Sequence, residues 1–537
     1  MSAGYTSPAK ARATIGGAET DIAALLGQPW DHVIIGGGSA GCVLARRLSE
    51  APHARVLLIE AGHAVSDAGV DTPQAWPGLA GGAFDWNYAS TPQAGLLGRC
   101  LPQPRGKGLG GSTLINALGF QRGGREAYDS WAAATGDAGW GYEALLPCFR
   151  RLETASGGAN AYRGGDGPLH VLAVADAADQ NPLATAFAAA GVAAGHAPNP
   201  DWNGARADGT IWTQLTIRDG KRDTAASAFL EPVRGRANLG ILTGAMVTGL
   251  GIAQGRCRTV ALVAGGAAYS ISPERETIMC AGAIDSPRLL LLSGIGDANQ
   301  LAALGITPVH HLPGVGQNLQ DHPLVPGLLF RSPQPLPLSG YNHSETMVMA
   351  QSRQQRGWAD LQLMGLCVPF LSPELGPPPP DSFSIVPALM APHSRGSLSL
   401  ASADPGVPAR IDPGYLTDPR DVEALVDAFE ISREIARQPE LRAWIAEELF
   451  PGPAMTSRAA LAMHIRRTAS PFFHPVSTCR MGRADADAAV VDPQCRVRGL
   501  AGLRIVDASI FPTIPQAMTN AAVLAVAERA AEIIKAG

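Results

Sequence analysis

The segment between residues 31 and 60 constrains the fold more than any other part of this sequence. It contains, in order, an apolar run, a glycine-rich turn, a stretch with apolar side chains at helical spacing, and a second apolar run. These pieces occupy residues 31–36, 36–41, 39–50 and 55–60. Strand, turn, helix and strand in so short a segment predict a βαβ unit, and therefore a parallel sheet.

The glycine-rich turn of this unit has the spacing of a dinucleotide-binding site. Gly36, Gly38 and Gly41 permit a tight turn, close approach of a pyrophosphate, and close packing of the helix on the strand. The helix that follows points free N–H groups and the positive end of its dipole at the phosphates. Glu60 ends the second apolar run, where an acidic side chain can bind ribose hydroxyls. Together these features predict a dinucleotide site.

The same turn also fits the G-x-S-x-G nucleophile elbow of serine hydrolases. In that alternative Ser39, between Gly37 and Gly41, is the nucleophile, and an aspartate and His474 follow it in chain order. The elbow normally lies well inside the chain of an α/β-hydrolase, whereas this turn follows the first clear strand. A hydrolase would also leave Glu60 and the later glycine-rich segments unexplained, so the dinucleotide site is favoured.

A second glycine-rich segment spans residues 106–123. Its glycines at 106, 108, 110 and 111 leave a run of backbone N–H groups uncovered by side chains. Such a run can bind phosphate or lie against a flat ring. Ser112 and Asn116 follow directly, which is more elaborate than a surface turn requires.

A third segment, residues 282–296, predicts the start of a helix after a buried strand. Ser286 can cap that helix, Pro287 can occupy its first turn, and two glycines near residue 295 end it. By itself this segment can be purely structural. Asp285, beside Ser286, has no explanation in this pattern.

The remaining candidate residues lie near the end of the chain. His474 follows Phe472 and Phe473, and Asn520 lies at the start of the last predicted helix. Taken alone, such a histidine is more often packed in a core than catalytic, and such an asparagine is often an ordinary N-cap. The residue pattern alone leaves both alternatives open.

Composition excludes several classes of protein. A chain of 537 residues is too long for one ordinary core, so two lobes are expected. The net charge of -5, without a basic run, argues against nucleic-acid partners and anionic membrane surfaces. The eight cysteines lack paired spacing and are expected to be free thiols. No metal site is expected, and the pair His310-His311 is interpreted as structural.

The sequence contains no apolar stretch long enough for a membrane span, and no apolar leader follows its first basic residues. A cytoplasmic location is therefore expected. The order of the elements indicates a discontinuous first lobe into which a second is inserted. The first comprises residues 31–155, 225–320 and 475–537, and the second residues 156–224 and 321–474, after a flexible arm over residues 1–30.

Together these motifs resemble the glucose–methanol–choline (GMC) family of flavin oxidoreductases. The resemblance runs from about residue 31 to the C-terminus, and residues 106–128 and 282–296 look like the two signature segments of the family. Asn318–His322 and His474–Gly482 strengthen the match. The implied fold is α/β, with a Rossmann-type FAD-binding lobe and an inserted α+β substrate-binding lobe on an antiparallel sheet.

The resemblance implies which residues bind the cofactor. They are Gly36, Gly38, Ser39, Gly41, Glu60, Ala61, Gly110, Gly111, Ser112, Asn116, Ala117, Val247, Asp507, Ala508 and Asn520. Val247 is expected to reach the adenine end through its backbone. Members with a covalent histidyl flavin carry a histidine beside the asparagine of the second motif. That position is Ile115 here, so FAD is expected to be bound non-covalently.

The resemblance also implies the chemistry. His474 and Asn520 match the catalytic pair in front of the flavin, and Phe473 is expected to join them in the substrate site. The implied reaction is oxidation of a small alcohol, in which His474 takes the hydroxyl proton and a hydride passes to flavin N5. Few charges lie in residues 70–105 and 330–400, which favours a neutral primary alcohol, aromatic alcohols included, over choline or a phosphorylated sugar. Oxygen and a quinone or dye are both open as electron acceptor, and the oligomeric state is not predicted.

Two further alternatives keep the same fold. A hydroxynitrile lyase of this family would act without net redox chemistry, and a light-driven decarboxylase would act on an acid. The match at His474 and Asn520 favours alcohol chemistry over both. One departure from the family concerns Ala517-Met518, where many members have Gly-Asn, and it affects the expected shape of the pocket.

Overall fold

A seven-stranded sheet forms the centre of the first lobe in the computed structural model, which describes residues 10–355 and 357–537. In spatial order its strands are Ala18–Thr20, Arg12–Ile15, Leu239–Thr243, Val56–Glu60, His32–Ile35, Glu276–Met279 and Leu503–Ile505. The last five are parallel to one another. His32–Ile35 and Val56–Glu60 are buried at every residue, which explains why they are unbroken apolar runs.

The structure corrects the expectation of a flexible arm over residues 1–30 for the part that it describes. Arg12–Ile15 pairs antiparallel with Leu239–Thr243, and Ala18–Thr20 pairs with Arg12–Ile15. The helix Ile22–Leu26 follows, with the Asp21 side chain as its N-cap. Arg12–Ile15 is a short strand whose pairing partner Leu239–Thr243 lies far along the chain, so the local pattern gives little sign of it. Residues 1–9 lie outside the described residues.

The second lobe is built on a mainly antiparallel sheet, as expected. In spatial order its main strands are Glu447–Phe450, Leu329–Arg331, Ser382–Leu389, Leu361–Leu366, Thr346–Ala350, Gly209–Trp212 and Pro198–Asn199. Two short strands, Pro323–Leu324 and Ser470–Pro471, pair at its side. The long helix Pro419–Ala436 packs against Ser382–Leu389. The α/β fold class with two lobes is therefore confirmed.

The α-helices of the described residues are Ile22–Leu26, Ser39–Leu48, Ala68–Asp71, Arg125–Thr135, Tyr142–Leu152, Pro182–Ala193, Gly282–Leu292, Ala298–Ala303, Pro419–Ala436, Pro439–Arg442, Arg458–Thr468 and Thr519–Ala536. Two contacts made by these helices position the functional site. Thr519–Ala536 packs against Ser39–Leu48, which brings the end of the chain to the N-terminal glycine turn. Gly282–Leu292 packs against the strand Ala245–Ala253.

Smaller sheets complete the molecule. A three-stranded antiparallel sheet comprises Ala245–Ala253, Arg256–Ala264 and Ala267–Ile271. The remaining short strands are Tyr88–Ala89, Pro102–Gln103, Glu153–Ala155, Leu169–Ala173, Gln214–Leu215, Ile217–Arg218, Lys221–Arg222, Ile295–Gly296, His310–His311, Gln317–Leu319, Gly396–Ser399 and Arg410–Asp412.

The cysteines and the histidine pair have structural surroundings. All eight cysteines are free thiols, and only Cys100 is exposed. His310 lies on a short strand, and its Nε2 donates to the Arg498 carbonyl at 2.8 Å. Within residues 10–355 and 357–537, no cluster of three or more His, Cys, Asp or Glu side chains could hold a metal ion. In the same residues, no helix combines the length and the apolar character needed to cross a bilayer.

Candidate active site

A cavity of about 340 Å³ is lined by residues of both lobes. It lies at the carboxyl ends of the parallel strands His32–Ile35 and Val56–Glu60, where open α/β sheets bind their ligands. The first turns of three helices reach it: Ser39–Leu48, Gly282–Leu292 and Thr519–Ala536. Its opposite wall comes from the antiparallel sheet of the second lobe.

Most of the residues predicted from the sequence line this cavity. They are Gly36, Gly38, Ser39, Glu60, Ala61, Gly111, Ser112, Asn116, Ala117, Val247, Phe473, His474, Asp507, Ala508 and Asn520. Gly41 and Gly110 do not line it, but they shape its wall. A Cβ on Gly41 would lie 1.9 Å from the Gly36 carbonyl oxygen, so only glycine lets the helix approach the strand. Gly110, with φ at 104°, donates its N–H to the Gly37 carbonyl at 2.8 Å.

Gly38 gives the clearest sign that a ligand occupies the glycine turn. Its φ of -78° is open to any residue, and a Cβ there would meet no protein atom closer than the Gly111 Cα at 3.8 Å. Packing within the protein therefore does not explain the glycine. The absent side chain leaves room against the first turn of Ser39–Leu48, whose N–H groups have no partners within the helix. This arrangement fits a dinucleotide pyrophosphate.

Glu60 is held rigidly at the end of its strand. Its carboxylate accepts from the Gly37 N–H at 2.8 Å and from the Gly62 N–H at 2.7 Å. Burial raises the pKa of Glu60, and these N–H groups oppose the shift. A carboxylate has more acceptor positions than these two donors use, so Glu60 can also accept from ribose hydroxyls.

Asp507 joins the end of the chain to the helix Gly282–Leu292. Its carboxylate accepts from the Gly282 N–H at 2.9 Å and from the Ser286 hydroxyl at 2.6 Å. The helix begins at Gly282 with Ala281 as N-cap, so the prediction that Ser286 caps it is wrong. The reason is that Ser286 lies inside the helix, where its hydroxyl binds a side chain from a distant segment. This link fixes the cavity wall at Asp507.

The imidazole of His474 is positioned by a strained and doubly anchored main chain. Phe473 has φ at 66°, a left-handed conformation that few bulky residues adopt. The guanidinium of Arg105 donates to the Phe473 carbonyl at 2.5 Å, and the His474 N–H donates to Asp321 at 2.6 Å. Asp321 is buried, and burial raises its pKa to about 6. It also accepts from the Tyr415 hydroxyl.

A second histidine, His322, contacts the first. The two Nδ1 atoms lie 3.0 Å apart, and the rings meet edge to face. Burial lowers the pKa of His322 to about 3. Burial, together with His322 and Arg105, lowers the pKa of His474 well below its usual value. Both rings are therefore neutral near pH 7, as a proton acceptor must be.

Three of these positioning residues are not predicted from the sequence. Asp321 and His322 belong to the segment Asn318–His322, which only marks the family, and no sequence pattern indicates a role for Arg105. The neighbouring ionisable residues Asp321 and His322 in that segment were the sequence feature that could have indicated a role in the site. Their contacts with His474 join segments about 150 residues apart, so no local pattern reveals them.

Asn520 is not an ordinary N-cap. It is the second residue of Thr519–Ala536, whose N-cap is Met518, and its Oδ1 accepts from the Ser39 hydroxyl at 2.7 Å. The Asn520 Nδ2 group is left as a donor at the cavity. Ser39 is engaged with Asn520, and no described histidine is hydrogen-bonded to it, which argues against the hydrolase alternative.

The wall contributed by the second lobe is largely apolar. It comprises Leu324, Met347, Met364, Leu366, Phe370, Val386, Phe472 and Phe473, with Asn342, Ser344 and His474 as its polar members. Met518 and Trp76 adjoin it from the first lobe. The carboxylates that line the cavity, Glu60, Asp285 and Asp507, all belong to the first lobe.

Matches to two family models show to which protein family the chain belongs. Both describe GMC oxidoreductases, and they match residues 30–324 and 392–527. The chain belongs to the GMC oxidoreductase family. This membership confirms the resemblance seen in the sequence, the enzyme class and FAD as the cofactor. Ile115 offers the flavin no reactive atom, in keeping with non-covalent binding.

Relatives of this GMC oxidoreductase include enzymes that act on alcohols. Oxygen-dependent choline dehydrogenase of Vibrio vulnificus is 36% identical, over 94% of each chain. Pyridoxine 4-oxidase of Microbacterium luteolum is 37% identical, over 93% of this chain and 98% of its own. The crystal structure of pyridoxine 4-oxidase from Mesorbium loti superposes with a TM-score of 0.91 at 38% identity, covering 95% and 99% of the two chains. The chain is thus an FAD-dependent oxidoreductase acting on CH–OH groups.

Proposed function

We propose that this enzyme oxidises a neutral primary alcohol to the aldehyde, with His474 as the base. The observation that carries the proposal is the neutral, doubly anchored imidazole of His474 in the same cavity as the glycine turn and Asn520. An alcohol gives up hydride from carbon far more readily once its hydroxyl proton is leaving. The site therefore needs a base at the hydroxyl beside a hydride acceptor.

The contact between the two histidines can be made with either ring as the donor. The proposed base requires that His474 Nδ1–H donates to His322 Nδ1, so that the proton of His322 is on its Nε2. The Nε2 lone pair of His474 is then free to take the substrate's hydroxyl proton. A base in this position contributes about 10²–10⁴-fold to the rate.

Asn520 acts as a hydrogen-bond donor to the same oxygen. Since its Oδ1 accepts from Ser39, the Nδ2 group points its protons away from that contact. A donor held at the developing alkoxide stabilises negative charge and keeps the carbon oriented.

The cofactor fits the first-lobe side of the cavity. The turn at Gly36–Gly41 would hold the pyrophosphate, Glu60 the ribose, and residues 111–117 with Asp507 and Ala508 the ribityl and ring portions. When bound, FAD supplies the hydride acceptor at its N5 atom. Exclusion of water by Phe472, Phe473 and the methionines would protect the reacting atoms.

The walls of the cavity support a substrate without positive charge. The second lobe contributes no carboxylate to the lining, and the guanidinium of Arg105 lies close to His474. Three methionines, Met347, Met364 and Met518, offer thioethers that contact aromatic rings favourably. Of the relatives' substrates, pyridoxine is an aromatic alcohol and choline is a quaternary ammonium cation. The lining favours the aromatic class.

A matched pair of alcohols tests the substrate class. Choline and 3,3-dimethylbutan-1-ol have nearly the same shape and differ in charge. We expect the neutral alcohol to reduce the flavin under anaerobic conditions with an apparent second-order rate constant at least about tenfold higher, because a cation beside Arg105 is repelled. Benzyl alcohol should reduce it faster still. The substrate assignment is contradicted if choline is the best of the three.

The same experiment separates the remaining alternatives. A lyase or a decarboxylase would leave the flavin oxidised in the dark with every alcohol. Hydrogen peroxide formed per alcohol consumed under air would decide between oxygen and a quinone or dye as acceptor.

We also propose the lobe boundaries that the sequence predicts, because the strands of the two large sheets from residue 32 onward fall within the assigned ranges. The cytoplasmic location stays a prediction.

A further inference from the structure

Asp321 is a buried carboxylate that lies behind the active site and does not line the cavity. One of its oxygens accepts from the His474 N–H at 2.6 Å, and the other accepts from the Tyr415 hydroxyl. Tyr415 is also buried, and the Gln103 side chain donates to its hydroxyl at 3.2 Å. The proposed alcohol chemistry uses the imidazole of His474 and does not explain why an ionisable group is buried here.

Asp321 is the group in this cluster whose charge changes in mildly acidic solution. Burial raises its pKa to about 6, and four neighbouring groups oppose that shift: the Tyr415 hydroxyl, the His474 N–H, the charge of Arg105 and the His322 N–H. The imidazoles of His474 and His322 have lower pKa values, so they stay neutral while Asp321 takes up its proton. Burial lowers the pKa of Arg105, and Asp321, Tyr415 and Asp85 oppose that shift.

The charge of Asp321 affects His474 in two ways. A hydrogen bond to a carboxylate is about twice as strong as one to a neutral acceptor, and this one helps to hold the strained left-handed backbone of Phe473. The carboxylate also offsets the charge of Arg105, which disfavours a positive imidazole at His474. A proton on Asp321 therefore loosens the base and makes it harder for the base to accept the substrate's proton.

We propose that Asp321 is a positioning residue that must be ionised for His474 to act, and that it sets the acidic limit of catalysis. His474 itself does not set this limit, because its pKa lies well below its usual value. A loss of activity in mild acid then reports the carboxylate behind the base. This inference rests on the proposed role of His474 and not on which alcohol is the substrate.

The test is the pH dependence of flavin reduction in the FAD-loaded enzyme, measured with saturating benzyl alcohol by anaerobic stopped flow. Between about pH 8 and pH 5 the wild-type rate constant should fall about fivefold, because Asp321 is protonated as the pH falls through about 6. Asp321→Asn is uncharged at every pH, so it should be about tenfold slower than wild type at the alkaline end and independent of pH. A merely structural role would lower the rate and leave the fall in acid in place.

A second variant keeps the inference testable if Asp321→Asn does not fold. Tyr415→Phe removes a hydrogen bond to the ionised carboxylate, so the pKa of Asp321 rises further. The fall in rate should then move toward neutral pH by about one unit.

Asp360→Asn is the matched control for these variants. Asp360 is another buried carboxylate whose pKa is raised by burial, and it lies outside the cavity lining. It accepts from the N–H and the hydroxyl of Ser352, both at 2.7 Å. Its variant should keep the wild-type pH profile.

Infrared spectroscopy gives a readout that needs no substrate. The difference between FAD-loaded wild type and Asp321→Asn should contain the C=O band of a protonated carboxyl in mild acid, and this band should disappear as the pH rises through about 6. The inference is overturned if the band does not change with pH, if Asp321→Asn keeps the acidic fall in rate, or if Tyr415→Phe leaves the fall where it is in wild type. Failure of the proposed function is distinguishable, because His474→Ala would then keep the wild-type rate.

Discussion

Replacing His474 by alanine is expected to slow reduction of the flavin by an alcohol about 10²–10⁴-fold, with the FAD content unchanged. The anchors of this segment, Arg105 to the Phe473 carbonyl and Asp321 to the residue-474 N–H, are main-chain contacts that alanine retains. The variant therefore loses the base and keeps the cavity. Stopped-flow measurement of flavin absorbance under anaerobic conditions gives the rate constant directly.

Two other variants test whether the loss of flavin reduction is specific to His474. His53→Ala removes an exposed histidine and should reduce its flavin as wild type does. Asn520→Ala should slow reduction by a smaller factor, roughly tenfold to a hundredfold, because it removes a donor to the alkoxide and leaves the base. A His474→Ala enzyme whose flavin is reduced at nearly the wild-type rate is incompatible with the proposed role of His474.

Replacing Gly38 by valine is expected to give a folded protein that purifies without its yellow colour. The backbone there accepts any residue, and the nearest protein atom to a new Cβ is 3.8 Å away. The added atoms instead fill the space in front of the first turn of Ser39–Leu48. We expect FAD binding to weaken by about a hundredfold, which is near the upper end of the usual cost of overpacking a site.

The comparison must use flavin-free proteins, because bound FAD itself stabilises the fold. Urea unfolding of flavin-free Gly38→Val should then match that of flavin-free wild type within about 1 kcal/mol. Gly235→Val is the matched control, since a Cβ at Gly235 also meets nothing within 4 Å but lies outside the cavity lining. It should keep its FAD. Normal FAD affinity in Gly38→Val would show that the pyrophosphate does not lie against this turn.

The sequence predicts the parallel half of the fold well because its signals are local. His32–Ile35 and Val56–Glu60 are apolar runs separated by a glycine turn, and short-range geometry then dictates the βαβ unit. Arg12–Ile15 escapes prediction because its stability comes from pairing with Leu239–Thr243, more than two hundred residues away. The predicted cap at Ser286 failed for a similar reason, since its hydroxyl binds Asp507.

The residues of the site also differ in whether local sequence predicts them. The glycines and Glu60 could be assigned from spacing, whereas His474 and Asn520 needed the family resemblance, because a lone histidine and an asparagine near a helix start have common structural roles. His322 became visible only with coordinates, which put its Nδ1 3.0 Å from that of His474. The chemistry of this base depends on a tertiary contact that no short motif encodes.

The most direct test of the catalytic roles of His474 and Asn520 is a crystal structure of the FAD-loaded enzyme with a slowly reacting alcohol. We expect the hydroxyl oxygen to lie within about 2.6–3.2 Å of both His474 Nε2 and Asn520 Nδ2, with the carbinol carbon facing flavin N5. A hydroxyl bound elsewhere in the cavity, with His474 still turned only toward His322, would contradict it.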